Sequence, residues 1–448
     1  MKNINIEVIS KSPGKCLICG GYLILNKNKK GVVINSDTYI ETKGKIENYI
    51  YKENEYFLIK IFSDNEKKEY KYNIIFKDNS LNVLEDKYDK NKWILNCIKS
   101  SIYIYSLNFE NLENFFNNLK IISKCISIEI ISDYRFYSYN KEKFENNDCK
   151  SIKTGLGSSS ALTCSINSTL MNIFYLYNLK KQNEQIPQYS NINSIPDKKF
   201  KSCILVSSIL SNNLSQNKIG SCFDIISSLT GNQIFQQISY NLFIDNFQFN
   251  ENNFNIIKNF VNEIKNNYLD KVEFLENLEE KNLIISLLSI ETGSDTRIFV
   301  KNVLEYAKKN MQNELFDDEL FSNLNLICEE IILIFQNKKS LNLLKENCIK
   351  YRKIIQEISK KSNVEIEPKI LSSLLDELIS KEEIFYSICP GAGGYDSIVV
   401  IGQNSNKSNF INEVYKCVTN FNNIHPNFQA YIIETKIAFH GSLIKYNI

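Results

Sequence analysis

Polar and apolar residues alternate near the start of the chain, where Ile4, Ile6 and Val8 are separated by polar neighbours. A period of two is that of a half-buried strand. Pro13-Gly14 then reads as a turn, followed by an apolar run from Cys16 to Leu25. Ile126, Ile128, Ile130 and Ile131 predict another strand, and the polar, irregular stretch 138–153 predicts a loop. From Ser159 the period changes. Leu162, Ile166, Leu170, Ile173, Phe174 and Tyr177 recur at steps of three and four, the pattern of an amphipathic helix. A polar stretch with Pro187 and Pro196 joins it to helices predicted over 203–214 and 225–229. Beyond residue 240 helical patterns dominate, as over 315–335 and over 370–379, which starts just after Pro368. Strands return at 283–289 and 398–401. Mixed elements with polar connections and no internal repeat predict an α+β or α/β chain of two halves, divided near residues 232–250.

Composition narrows the partners. The chain has 448 residues, with 53 Lys and Arg against 51 Asp and Glu, a formal charge of +2. So balanced a sum lacks the basic excess of a DNA-coating protein, and no nucleic-acid partner is expected. The longest apolar runs, such as Leu283 to Ile290, fall far short of the ~20 residues that span a bilayer, and no membrane partner is expected. Twelve Cys are scattered from Cys16 to Cys417 and read as reduced thiols of a cytoplasmic protein. Cys16 and Cys19 form a lone CxxC; with only His425 and His440 in the chain, neither a zinc site nor histidine acid–base chemistry is expected.

Glycine is scarce: 15 residues, about half the usual ~7% share. The glycines that remain should therefore mark positions where the backbone tolerates little else. They gather in SPGKCLICGGYLIL, KTGLGSSSAL, NKIGSCFD and PGAGGYD. In KTGLGSSSAL two glycines and three serines stand directly before the predicted helix. Successive backbone N–H groups at such a turn converge on one concavity, and the helix N-terminus adds partial positive charge, a combination suited to phosphate. A capped helix after a flexible loop would look the same. No GxxxxGK[ST] loop and no protein-kinase HRD or DFG signature occurs, and Ser160 stands where a dinucleotide fold needs its third glycine.

Taken together and in order, SPGKCLICGG, KTGLGSSSAL and CPGAGGYD resemble the three motifs of the GHMP small-molecule kinases. Within them the wording KTGLGSS, KIGS-x-FD and PGAGGYD is similar to the eukaryotic phosphomevalonate kinase family, as are IISDYRFYS, YRKIIQEISKKSNVEIEP and SSLLDEL. Mevalonate kinases and galactokinases usually carry Gly-Glu-His where this chain reads Gly20-Gly21-Tyr22-Leu23. The resemblance implies the two-domain α+β GHMP fold, with domains 1–235 and 236–448 and the active site in the cleft between them. It also implies use of ATP and Mg²⁺, with 5-phosphomevalonate as the small-molecule acceptor. Two alternatives stay open: a GHMP kinase acting on an alcohol such as mevalonate, and a catalytically silent ligand sensor of the same fold.

Site residues follow from the resemblance. Lys15 is expected to reach the reacting phosphates, and Asp224 to be the catalytic aspartate paired with it. Lys153, Thr154, Gly155, Leu156, Gly157, Ser158, Ser159, Ser160 and Ala161 form the ATP phosphate loop, with Ser159 as the Mg²⁺ contact. Lys218 and Ser221 match the acceptor side. Gly391, Gly393 and Gly394, expected to bind substrate, belong to the third motif, which in the family packs over the phosphate loop and closes the site. Arg352 admits either a bidentate phosphate contact or a structural ion pair. The chain departs from the family at Asn217 and Cys222, where glycine is usual; Cys222 would narrow the pocket or strain the turn.

Overall fold

The computed structural model describes residues 5–48, 57–85, 90–115, 124–137, 154–217, 220–238, 247–275, 278, 280–290 and 296–448. Strands β1 (Glu7–Cys19) and β2 (Lys30–Asn48) form a long antiparallel pair. Three shorter strands follow, β3 (Phe57–Ser63), β4 (Lys68–Lys77) and β5 (Ser80–Glu85), then helix α1 (Lys92–Ser106) and β6 (Lys124–Ser132). Helices α2 (Ser158–Gln182), α3 (Lys198–Gln216) and α4 (Phe223–Thr230) lead to β7 (Gln233–Gln236). The remainder runs α5 (Phe254–Glu263), β8 (Glu273–Phe274), β9 (Leu283–Ile290), α6 (Thr296–Lys309), α7 (Glu319–Phe335), α8 (Leu343–Ser362) and α9 (Lys369–Ser380). It ends with β10 (Ile384–Ile388), β11 (Ser397–Gln403), α10 (Lys407–Ile424), β12 (Ala430–Glu434), β13 (Ile437–Ala438) and β14 (Leu443–Asn447).

Two sheets organise these elements. One has ten strands, its main path running β14-β1-β2-β6-β3-β4-β5, with β13 and β7 also on β2 and β8 on β7. Among the described residues only the β3–β6 pair in it is parallel. The other sheet is an antiparallel four-strand set, β10-β11-β9-β12. Because β13 and β14 return to β2 and β1, the ten-stranded sheet draws strands from both ends of the chain.

Local chemistry explains the departures from the sequence reading. Pro13-Gly14 is not a turn: β1 runs straight through it, with breaks in register at Pro13/Gly14 and again at Leu17/Cys19. Proline lacks the N–H a ladder needs, and a bulge is where a strand tolerates that. Helix α2 is not simply amphipathic. From Ser160 to Phe174 every residue but Leu162 is buried, since α2 packs on β1 and β2 and against α1 and α3. Several of its polar side chains are bonded in the interior: Thr42 Oγ1 lies 2.8 Å from Ser165 Oγ and 2.6 Å from Thr169 Oγ1. Asn167 Oδ1 accepts from Ser101 and Ser207, both at 2.7 Å. Helix α7 starts at Glu319 rather than 315 because Asp318 caps it, Oδ1 accepting from Phe321 N–H at 3.0 Å. The predicted loop 138–153 lies outside the described residues.

Candidate active site

Three segments far apart in sequence meet where β1, α2 and α4 converge. Lys15 sits on β1, and its backbone N–H donates to the Leu156 carbonyl at 2.9 Å, tying the first motif to the serine-rich loop. That loop is anchored at its base by Thr154, whose hydroxyl donates to the Arg135 carbonyl at 2.6 Å and whose N–H donates to the Phe136 carbonyl at 3.4 Å. Arg135 is itself locked in place. It bonds Asp133 through Nε at 3.0 Å, Asp37 through Nη1 at 2.9 Å, and the Glu434 carbonyl at 3.0 Å.

Gly157 is the residue just before α2, with φ 76 and ψ 48, and Gly155 has φ 74. Both are left-handed positions that a side chain resists. A Cβ on Gly157 would lie 2.7 Å from Lys15 Cε and 3.3 Å from its Nζ, so the lysine can cross the loop only over a bare glycine. Ser160 Oγ donates to the Gly157 carbonyl at 2.7 Å, bracing the turn from within. The N–H groups of Ser158 and Ser159 meet no backbone acceptor among the described residues. They open, with the helix dipole, toward the space beside Lys15.

From the other side α4 brings Phe223 and Asp224. The Lys15 ammonium stands 5.1 Å from the centroid of the Phe223 ring, within cation–π range. Asp224 is half-buried in the first turn of α4, where a carboxylate is favoured, and its Oδ1 accepts from Ile225 N–H at 3.0 Å. No ion pair joins Lys15 to Asp224 among the described residues; the ammonium rests on the ring one residue away instead. Phe223 stands inside the quoted KIGSCFD motif, yet an aromatic between two polar candidates gave no chemical signal of its own. Burial pushes the neighbouring Cys16 thiol up to about 11, with Lys15 opposing it, so that thiol stays protonated.

The turn before α4 carries the chain's departures. Cys222 has φ 61 and ψ 12, and Asn217, capping α3, has φ 54 and ψ 42. Both are conformations that glycine adopts freely. The Cys222 Sγ faces inward, 3.6 Å from Asn213 Oδ1 and 3.5 Å from the Gly220 carbonyl, so it does not narrow the site. Ser221 is buried beside it. Lys218 and Lys153 lie outside the described residues.

The third motif is the connection between β10 and β11, and its glycine loop reaches the phosphate loop only indirectly. Gly391, Gly393 and Gly394 have φ of 70, 75 and 87. The Gly393 and Gly394 N–H groups bond the carbonyls of Pro390 at 3.1 Å and Ile366 at 2.8 Å. Ser397, the first residue of β11, makes the contact with the phosphate loop: a Cβ on Gly155 would stand 2.3 Å from its Oγ. Of the two roles open to Arg352, the structure contains the ion pair. Its guanidinium is 4% exposed and bonds Glu367 twice, at 3.0 and 2.8 Å, and Asp376 at 2.8 Å. Its Nε and Nη2 are thus committed to carboxylates, which makes the ion pair the role seen among the described residues.

No family model matches the chain. Solved structures do resemble it along nearly its whole length. A Streptococcus pneumoniae phosphomevalonate kinase superposes with a TM-score of 0.54 at 11% identity, over 97% of this chain and 100% of that one. A Lactococcus lactis galactokinase superposes with a TM-score of 0.57 at 11% identity, over 98% and 94%. The chain has the GHMP kinase fold.

Among curated proteins, several named phosphomevalonate kinase are similar in sequence. That of Aspergillus fumigatus is 25% identical over 304 residues, 62% of this chain and 59% of its own length. The match thus spans about three fifths of that relative. A peroxisomal phosphomevalonate kinase of Arabidopsis thaliana is 23% identical over 88% of this chain and 90% of its own. Among the described residues no helix is long and apolar enough to cross a membrane.

Proposed function

We propose that this GHMP-fold chain is a phosphomevalonate kinase, moving the γ-phosphoryl group of ATP to 5-phosphomevalonate to give 5-diphosphomevalonate and ADP in the mevalonate route to isoprenoids. The observation that carries the reading is the convergence of Lys15, the Gly155–Ser159 loop and the first turn of α4, which carries Phe223 and Asp224, with Lys15 laid across Gly157. The similarity to phosphomevalonate kinases supports the choice of acceptor.

The chemistry suits this arrangement. Phosphoryl transfer asks the protein chiefly for positioning and for positive charge at the moving group. In this reading the Ser158 and Ser159 N–H groups receive phosphate oxygens, and Lys15 leaves the Phe223 ring to offset charge on the transferred group. The acceptor is itself a phosphate with a second pKa of about 6, so near neutral pH it has mostly lost its proton already. Asp224 then acts by orienting Lys15 and the acceptor rather than as a strong base. Ser221 and Lys218 would face the acceptor.

Magnesium fits the donors present. The described residues hold no cluster of three acidic, His or Cys side chains, and Mg²⁺ commonly binds through one or two protein oxygens plus substrate phosphates, a role open to the half-buried Ser159. Bound with ATP it would neutralise charge on the β- and γ-phosphate oxygens. The eleven cysteines described are free thiols, in keeping with a cytoplasmic location.

The test is ADP release by purified protein with Mg²⁺-ATP, offered 5-phosphomevalonate and mevalonate in parallel. Turnover with the phosphorylated acceptor alone is expected. Turnover with mevalonate alone would reassign the acceptor within the same fold, and turnover with neither would move the chain to a ligand-sensing role.

A further inference from the structure

The first motif ends in a strained turn that the kinase reading leaves unused. Tyr22 has φ 63 and ψ −46, and the Leu23 N–H donates to the Gly21 carbonyl at 2.8 Å, closing a three-residue γ-turn around it. The positive-φ γ-turn is the rare and strained form. Most other non-glycine residues at positive φ in the described structure are Asn or Asp, which tolerate that region; Tyr22 is bulky and does not. Such a conformation persists only where the surroundings over-determine it.

Those surroundings are the third glycine loop and its supports. The Tyr22 hydroxyl donates to the Ala392 carbonyl at 2.6 Å, and its ring is 4% exposed. Next to it a Cβ on Gly21 would sit 2.5 Å from the Gly391 carbonyl oxygen and 3.6 Å from Tyr351 Oη. Behind the loop, Gly393 is pressed so closely on Ile366 that a Cβ would lie 2.1 Å from the Ile366 carbonyl oxygen. Ile366 in turn precedes Glu367, the carboxylate held by Arg352. The loop is thus gripped from both sides, by a fixed wall at Ile366 and by the strained Gly21-Tyr22 turn.

We propose that Tyr22 is a positioning residue that clasps the third glycine loop, 391–394, to the end of the first motif and so shapes the acceptor's pocket. The proposal rests on the kinase reading for its substrate, but not for its geometry. Among the described residues the phenol supplies the one hydrogen bond between the turn and the loop, and Gly21 supplies the close approach that makes this bond possible. A side chain at 21 would push Gly391 away and break both.

The test is Tyr22→Phe, which keeps the ring and removes only the hydroxyl, with Gly21→Ala as the stronger lesion. One lost hydrogen bond corresponds to roughly three- to tenfold. In Tyr22→Phe the KM for 5-phosphomevalonate is expected to rise by about that factor, with kcat and the KM for ATP within about twofold. Amide exchange in peptides covering 389–397 should accelerate by a similar factor while β1 and β9 keep their protection. Gly21→Ala should show the same signature, with the acceptor KM raised roughly a hundredfold. A purely structural role predicts otherwise: faster exchange throughout both sheets, and a lower kcat at unchanged KM from a smaller folded fraction. Unchanged exchange at 389–397 in both variants would overturn the clasp. If the wild-type protein turns over no phosphorylated acceptor, the kinase reading fails by itself, and the exchange measurement still decides the role of Tyr22.

Discussion

The two glycine-rich loops look alike in sequence and do opposite things with their backbones. In the loop before α2, Gly155 and Gly157 turn the chain so that the Ser158 and Ser159 N–H groups are left without backbone acceptors among the described residues, beside a lysine. In the loop after β10, the Gly393 and Gly394 N–H groups are both committed, to Pro390 and Ile366. In the proposed reading the first loop receives an anion, and the second holds a shape against its neighbours. Glycine count does not separate the two cases. What separates them is whether the freed amides are satisfied from within.

The largest test of that contrast is Lys15→Met. If the open loop is the phosphate site, removing the Lys15 ammonium should lower kcat by roughly 10³-fold, as loss of a strong transition-state contact does, with the unfolding midpoint nearly unchanged. Steady-state kinetics beside a thermal melt would check it; activity largely intact would sink the mechanism. Arg352→Ala should behave in the reverse way. Stranding the 6%-exposed Glu367 without its guanidinium should cost about 3–5 kcal/mol of stability, read by denaturant titration. The acceptor KM of the protein that remains folded should move little. A large rise in that KM at undiminished stability would return Arg352 to the substrate.

A matched pair of glycine substitutions sharpens the comparison at intermediate size. In Gly157→Ala the new methyl meets Lys15 Cε at 2.7 Å at a residue with φ 76, so both the turn and the lysine must shift. A fall of roughly 10²-fold in kcat/KM for ATP is expected. At Gly391 nothing lies within 4 Å of the added Cβ, and only φ 70 opposes it. Gly391→Ala should therefore cost about 1–2 kcal/mol of stability and less than about threefold in activity. Equal kinetic losses from the two would mean that both loops touch phosphate.

Much of this was legible in the residues before any coordinates. Because glycine is scarce throughout, its positions pointed to the segments of the candidate site, and the change of period at Ser159 marked the start of α2. The character of α2 was not legible: Thr163, Ser165, Asn167, Ser168, Thr169 and Asn172 read as a polar face, yet their partners on β2, α1 and α3 bury them all. The hairpins of β3 to β5 and helix α1 escaped notice for a related reason. Lys- and Asn-rich wording masks the alternation of strands whose outer face is solvated. Arg352 could not be assigned because the same residue suits a phosphate and a carboxylate, and only the fold brings Glu367 and Asp376 to it. The return of β13 and β14 to the first sheet is a long-range pairing for which local patterning carries no signal.

The smallest expected effect concerns Cys222, the chain's plainest departure from the wording of the family it resembles. Its φ of 61 costs a non-glycine residue about 1–2 kcal/mol. Replacing it with glycine removes that cost, but forfeits burial worth about 0.8 kcal/mol per methylene-sized group and adds about 0.5–1 kcal/mol of unfolded-chain entropy. These terms nearly cancel, so Cys222→Gly should leave the unfolding free energy within about 1 kcal/mol of the parent. Cys222→Ala keeps the strained backbone and loses the sulfur, so it should be the less stable variant by about 1 kcal/mol. Since the buried Sγ is turned to Asn213 and the Gly220 carbonyl, neither change should move the acceptor KM beyond about twofold. Denaturant titration of the three proteins gives the order; a sharply tighter acceptor KM in the glycine variant would instead show that the cysteine crowds the pocket.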